Sequence, residues 1–205
     1  MEPVSVQSVN AKPIIIGLTG GIASGKSTAS TIFKAHQIPV IDNDQIVHDL
    51  WEHHREMVKK VEDHFGFQIS GDGRKKLAKI IFNDETKRLE LNAIVHPYVF
   101  GKIEEEKKRL ANEPIIVIDM PLLFEVGYED QCDEVCLVYV EPKIQLQRLM
   151  FRDQLNEVDA TKRINSQWSI EKKKALADVI FDNQLSIQDL EEQIDSYIRG
   201  LNNEE

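Results

Sequence analysis

Ile14-Ile15-Ile16-Gly17-Leu18-Thr19-Gly20-Gly21-Ile22-Ala23-Ser24-Gly25-Lys26-Ser27 is the stretch that decides the fold. Its first five residues form a short apolar run, which predicts a strand buried on both faces. Its last eight match G-x-x-x-x-G-K-[ST]. The glycines let successive backbone N–H groups turn inward around phosphate. Lys26 brings a cation to the terminal phosphates, and the Ser27 hydroxyl can ligate Mg2+. Residues 26–35 suit a helix, whose positive end would point at the same place. A strand before and a helix after separate this loop from a chance glycine turn.

Working outward, Ile38-Pro39-Val40-Ile41 predicts a second strand, closing on Asp42-Asn43-Asp44. Residues 45–100 carry helical patterns broken at Gly66 and at Gly71-Asp72-Gly73, and read as an insertion. Strands follow at 115–118, ending on Asp119, and at 135–140. Helices are expected at 142–153 and 159–167, and a last strand at 179–181. A final helix at 187–201 has apolar residues at 187, 190, 194, 198 and 201, a helical spacing. Strands alternating with helices mean an α/β fold, its parallel sheet covered on both faces.

The length of 205 residues suits one such domain with a small inserted subdomain. A net charge of −10 argues against a general nucleic-acid or membrane binder, which needs a large basic surface. It leaves room for an anionic small molecule held by a local basic cluster. Cys132 and Cys136 read as small apolar residues rather than a metal site, and cysteine scarcity fits a reducing, cytoplasmic compartment. Residues 1–13 lack the features of a signal peptide and read as a loose tail. No apolar stretch is long enough to span a bilayer.

Other residues carry two readings each. Asp119 ends a buried strand, where it can hold Mg2+ or simply close a turn. Asp44 can orient an acceptor hydroxyl towards a γ-phosphate or cap the helix that starts near Gln45. Arg148 and Arg152 share one helix face, and Arg163 follows on the next helical stretch. They suit a flap that neutralises transition-state charge, or a solvated surface. Lys172-Lys173-Lys174 reads as a solvated helix face. His36, His48, His53, His54 and His64 are assigned no chemistry. The guanine-binding N-K-x-D pattern is absent.

Taken together, these segments resemble the dephospho-coenzyme A kinase family. The loop at 17–27, Asp42-Asn43-Asp44 (similar to D-A-D) and His96-Pro97 carry the resemblance. So do Asp119-Met120-Pro121-Leu122-Leu123-Phe124-Glu125 and the Q-x-x-R-x-x-x-R-D of Gln145 to Asp153. Arg163-Ile164 with Gln167, and Ala177-Asp178 with Asp182-Asn183, complete it. The resemblance implies a P-loop NTPase fold of the nucleoside-monophosphate-kinase type, with a core at 14–44, 99–144 and 168–205. It implies a helical acceptor-binding insertion at 45–98 and a lid at 145–167. The implied reaction is ATP- and Mg2+-dependent phosphorylation of the ribose 3′-hydroxyl of dephospho-CoA, the last step of coenzyme A synthesis.

The resemblance also implies residue roles. Asp44 would be the catalytic carboxylate and Lys26 the phosphate-binding lysine, with Arg148 and Arg152 completing the catalytic set. ATP would be held by Gly21, Ile22, Ala23, Ser24, Gly25, Lys26, Ser27 and Thr28, with Arg148, and with Asn183 near the adenine. The acceptor would meet Asp44, His96, Pro121, Leu122, Leu123, Glu125 and Arg163. Ser27 and Asp119 would attend Mg2+, Asp119 directly or through water. Ala23 and Gln154 stand where glycine is frequent in the family, and an alanine at 23 is tolerable if φ there stays negative. Two other readings remain: a kinase of another small hydroxylated acceptor, and a nucleotide-binding module without catalysis. The second would not need Asp44 and the lid arginines together.

Overall fold

The computed structural model describes residues 12–201. The expected tail at 1–13 therefore lies outside the described residues except for Lys12 and Pro13. Among the described residues the chain divides into two compact units, one built from residues up to Ile41 and from Leu110 onward, the other from Asp42–Arg109.

The first unit holds a five-stranded sheet in the order β2-β3-β1-β4-β5. Its strands are β1 (Ile14–Gly20), β2 (Val40–Asp42), β3 (Ile115–Asp119), β4 (Glu134–Tyr139) and β5 (Val179–Asp182). β1 runs parallel to β3 with Ile14 opposite Ile115, and parallel to β4 with Ile16 opposite Glu134. β4 in turn pairs parallel with β5. β1, β3 and β4 are buried along nearly their whole length, as strands covered on both faces must be.

On one face, α1 (Lys26–Ala35) and α9 (Ile187–Leu201) pack Ala29, Ile32, Phe33, Leu190, Ile194 and Ile198 against the strands. Each fully buried side chain of this kind contributes roughly 1.5–3 kcal/mol. On the other, α8 (Ile170–Lys174) sets Ile170 against Leu137, Tyr139 and Val140. Two further helices of this unit are α6 (Pro142–Asp153) and α7 (Glu157–Ile164), in the stretch expected to form a lid. Cys136 sits in this core, where burial pushes its thiol pKa up to about 12, so it is an inert apolar residue.

The chain leaves β1 towards β2 on one side, then crosses from β3 to β4 on the other. In open α/β sheets ligands settle at the carboxyl ends of the strands beside such a switch, which is where the loop after β1 begins.

The second unit is helical: α2 (Asn43–His53), α3 (Arg55–Phe65), α4 (Asp72–Asn83) and α5 (Glu85–Arg109). Gly66, at φ 74, closes α3 as sequence expects. α5 continues through Pro97 to Arg109, past the expected helical limit near 100. The proline forfeits one backbone donor. The buried stripe Leu91, Val95, Val99 and Ile103 carries the helix through it.

Candidate active site

The loop after β1 is shaped by contacts that only small residues permit. The Ser24 N–H donates to the Gly21 carbonyl (3.0 Å), forming a turn. Gly25 then caps α1 at φ 95, with no side chain to satisfy the helix N-terminus. A Cβ at Gly25 would run into the amide of Asn183, whose Nδ2 donates to the Ser24 carbonyl (2.8 Å). Ala23 lies at φ 60, so the condition of negative φ is not met. A left-handed alanine costs about 1–2 kcal/mol, which the loop's fixed ends impose. Gln154 is likewise at φ 52, where it ends α6.

Lys26 opens α1 and forms an ion pair with Asp119 at the carboxyl end of β3. Both are largely buried, with side-chain exposures of 16% and 7%. The buried Ser24 Oγ has no hydrogen-bond partner among the described residues, an orphaned group of the kind that signals an incomplete polar site. Ser27 is exposed in the first turn of α1, and Thr28 follows. Ser27 and Asp119 offer only oxygen ligands, the donor chemistry that suits Mg2+. No cluster of three or more His, Cys, Asp or Glu is gathered as a metal cage among the described residues. Mg2+ bound alongside substrate phosphates needs only one or two protein oxygens, so this donor set fits it.

Lys173 is the residue that sequence reading missed. The run 172–174 is not a solvated face: Lys173 is fully buried. Its Nζ donates to the Pro121 carbonyl (2.7 Å) and pairs with Glu125 (2.9 Å). Burial lowers its pKa, against the opposing pull of Glu125. Its neighbours go elsewhere, Lys172 over the Trp168 ring and Lys174 over Tyr139. A signal was present, because Lys173 lies three residues after Ile170, on the same face of a short helix. The same Pro121 carbonyl accepts from Thr19 Oγ1 (3.1 Å), and Glu125 accepts from the Trp168 N–H (2.9 Å). The 121–125 segment is thus tied both to β1 and to the chain leaving the lid. Within it Leu122 is exposed, whereas Leu123 is fully buried and packs where a side chain on Gly17 would go.

Replacing Lys173 with methionine leaves the Glu125 carboxylate without its cation. The expected loss is about 3 kcal/mol, or about 6–12 °C in Tm at this chain size. Calorimetric melting checks it, and an unchanged Tm would show the pair to be dispensable.

Arg148 and Arg152 sit on α6, and Arg163 sits on α7. Arg148 is half-buried, while Arg152 and Arg163 are exposed. Both exposed residues bond Asp153, at 2.8 Å and 2.7 Å. The Arg152 guanidinium holds the Asp153 carboxyl below the usual range. Two glutamines that flank this stretch, Gln145 and Gln167, reach the loop after β1. Gln145 Nε2 donates to the Ile22 carbonyl (2.9 Å), and the Ile22 N–H donates to Gln167 Oε1 (3.0 Å).

In the second unit the cap of α2 is Asp42, whose carboxylate accepts from the Gln45 N–H (3.0 Å). Asp44 lies inside the helix's first turn and is exposed, so it is not the cap. His54 serves the fold, because its Nδ1 caps α3 by accepting from the Met57 N–H (3.2 Å). His96 is half-buried on α5 near the Phe100 ring, and burial lowers its pKa.

A parallel α/β sheet, a glycine-rich loop running from its central strand into a helix, and a lysine at that helix start define a P-loop nucleotide-binding protein. The family model "CoaE: Dephospho-CoA kinase" matches residues 14–189. A dephospho-CoA kinase of Lactobacillus johnsonii is 40% identical over 192 residues, covering 91% of this chain and 97% of that one. Among solved structures, TT1252 from Thermus thermophilus is similar with a TM-score of 0.80 at 32% identity, covering 93% and 99% of the two chains. A dephospho-CoA kinase from Campylobacter jejuni is similar with a TM-score of 0.67 at 31% identity, covering 90% and 95%. The chain belongs to the dephospho-CoA kinase family, and it is an enzyme that transfers phosphoryl groups from ATP. No helix among the described residues is long and apolar enough to cross a membrane.

Proposed function

We propose that this enzyme phosphorylates the ribose 3′-hydroxyl of dephospho-CoA, giving CoA and ADP in the last step of coenzyme A synthesis. The observation that carries the reading is the loop at 20–27, with Lys26 at its helix start, in a chain matched to the family from 14 to 189. In this reading the loop cradles the ATP phosphates with its backbone N–H groups, and Lys26 neutralises charge on the terminal phosphates. Asp44 accepts the hydrogen bond of the acceptor hydroxyl and takes its proton as the new P–O bond forms. Arg148 and Arg152 offset the charge that develops during transfer, and Arg163 meets the acceptor. Mg2+, held by Ser27 and by Asp119 directly or through water, supplies charge neutralisation when bound. Asn183 supports the phosphate loop from behind. By the family resemblance, Pro121, Leu122, Leu123 and Glu125 of the first unit and His96 of the second are assigned to the acceptor. Scarcity of cysteine supports a cytoplasmic setting.

The test is incubation of the purified protein with Mg-ATP and dephospho-CoA, with CoA followed by mass-resolved chromatography. CoA should accumulate only when enzyme and acceptor are both present. ATP binding without CoA formation would overturn the acceptor assignment and redirect the search to other hydroxylated acceptors.

A further inference from the structure

The peptide of Ile22 is held on both sides by side chains from outside its own loop. Its carbonyl accepts from Gln145 and its N–H donates to Gln167, at 2.9 Å and 3.0 Å. These glutamines are the residues at which the lid leaves the core and returns to it. Gln145 is only 2% exposed. A buried amide without a partner is costly, so this contact is a strong constraint. Gly21 reflects it too, because a Cβ there would collide with Gln145 Nε2. The glycine makes room for the lid's anchor as well as for phosphate. With its N–H taken by Gln167, Ile22 serves the site as an attachment point rather than as a phosphate donor.

Geometry carries the consequence further. Gln145, Arg148 and Arg152 are spaced i, i+3 and i+7 on α6, which puts them on one stripe of the helix. Fixing Gln145 against the loop therefore fixes the rotation of α6 and the direction in which Arg148 leaves it. Gln167, in the turn after α7 and four residues beyond Arg163, ties the other end of the segment to the same residue. Both ends of the lid are tied to a single residue of the loop proposed to hold the phosphates, through the two peptide groups that flank its Cα.

We infer that Gln145 and Gln167 are positioning residues, which clamp the Ile22 backbone on both sides of its Cα so that the lid arginines are aimed by the phosphate loop itself. The inference rests on the proposed kinase reading, with Arg148 acting on the transferring phosphoryl group. Neither glutamine touches the reacting atoms.

The experiment is a double-variant cycle on the full chain, using Mg-ATP and dephospho-CoA. Gln145→Met keeps the side chain's length and removes its donor. It should lower kcat and kcat/KM together, by roughly ten- to hundredfold, the scale of misplacing a catalytic group by about an ångström. In an Arg148→Ala background the same substitution should cost less than about threefold, because there is no arginine left to aim. A glutamine that matters only for folding gives the same fold-loss in both backgrounds, and that additivity would overturn the inference. An unchanged kcat in Arg148→Ala alone would instead overturn the role assigned to Arg148. In parallel, Gln167→Met should speed hydrogen exchange at the Ile22 amide by at least tenfold relative to the Leu18 amide in β1. Unchanged protection at Ile22 would show that Gln167 does not hold that peptide.

Discussion

Asp44→Asn is expected to reduce turnover by about 10²–10⁴-fold, the range attributed to a positioned general acid–base group, while ATP still binds. Asparagine keeps the size of the side chain and removes its capacity to take a proton. The fold gives this variant an internal control two residues away. Asp42, not Asp44, caps α2 through the Gln45 N–H. Asp42→Ala should therefore cost about 0.5–2 kcal/mol of stability. Asp44→Asn leaves that cap in place and forfeits the favourable placement of a negative charge in a first turn, about 0.3–1 kcal/mol. Turnover by mass-resolved assay, ATP affinity by calorimetry and thermal melting together separate the two aspartates. Turnover of the Asp44 variant within about twofold of the parent would remove Asp44 from the mechanism.

Lys26→Met should show both a catalytic and a structural loss. Removing a single donor to developing charge typically costs about 10²–10³-fold in kcat. The same change strips Asp119 of its ion-pair partner at a site where the carboxylate is nearly buried. Removing one member of a buried pair costs up to about 3–5 kcal/mol, and less where water reaches it. With 16% of the lysine side chain exposed, a loss of about 2 kcal/mol is expected. The double variant Lys26→Met with Asp119→Asn should recover much of the stability and none of the activity. Recovery of turnover in the double variant would mean that Lys26 serves the fold alone.

Much of the architecture was legible because its punctuation is local. α1, α6 and α9 occupy the residues expected from glycine, proline and apolar spacing. β2 is shorter than Ile38-Pro39-Val40-Ile41 suggested, for a reason written in hydrogen bonds. The Ile38 N–H turns back to the Phe33 carbonyl at the end of α1 before the strand begins. The phosphate loop could be read because its chemistry is carried by contiguous residues. The clamp on Ile22 could not, since Gln145 and Gln167 lie more than 120 residues downstream and take their meaning from one peptide in space. Lys173 was concealed by composition, since three adjacent lysines look alike in sequence while a short helix sends each to different surroundings. Ala23 shows a further limit, because its left-handed backbone is imposed by what the loop joins.

The strand order has a consequence for how the chain is made. β1 lies between β3 and β4, and its first residue, Ile14, pairs in register with Ile115. On a ribosome, the Ile-rich strand that opens the fold must wait for its partner during the synthesis of roughly a hundred residues, about 5–20 s at ordinary elongation rates. The helical segment Asp42–Arg109 is contiguous and is complete before that partner emerges. A nascent chain therefore carries an adhesive, unpaired strand tethered to a finished helical unit. That interval, rather than any weakness in the mature protein, is when aggregation and chaperone capture bear most heavily on the molecule.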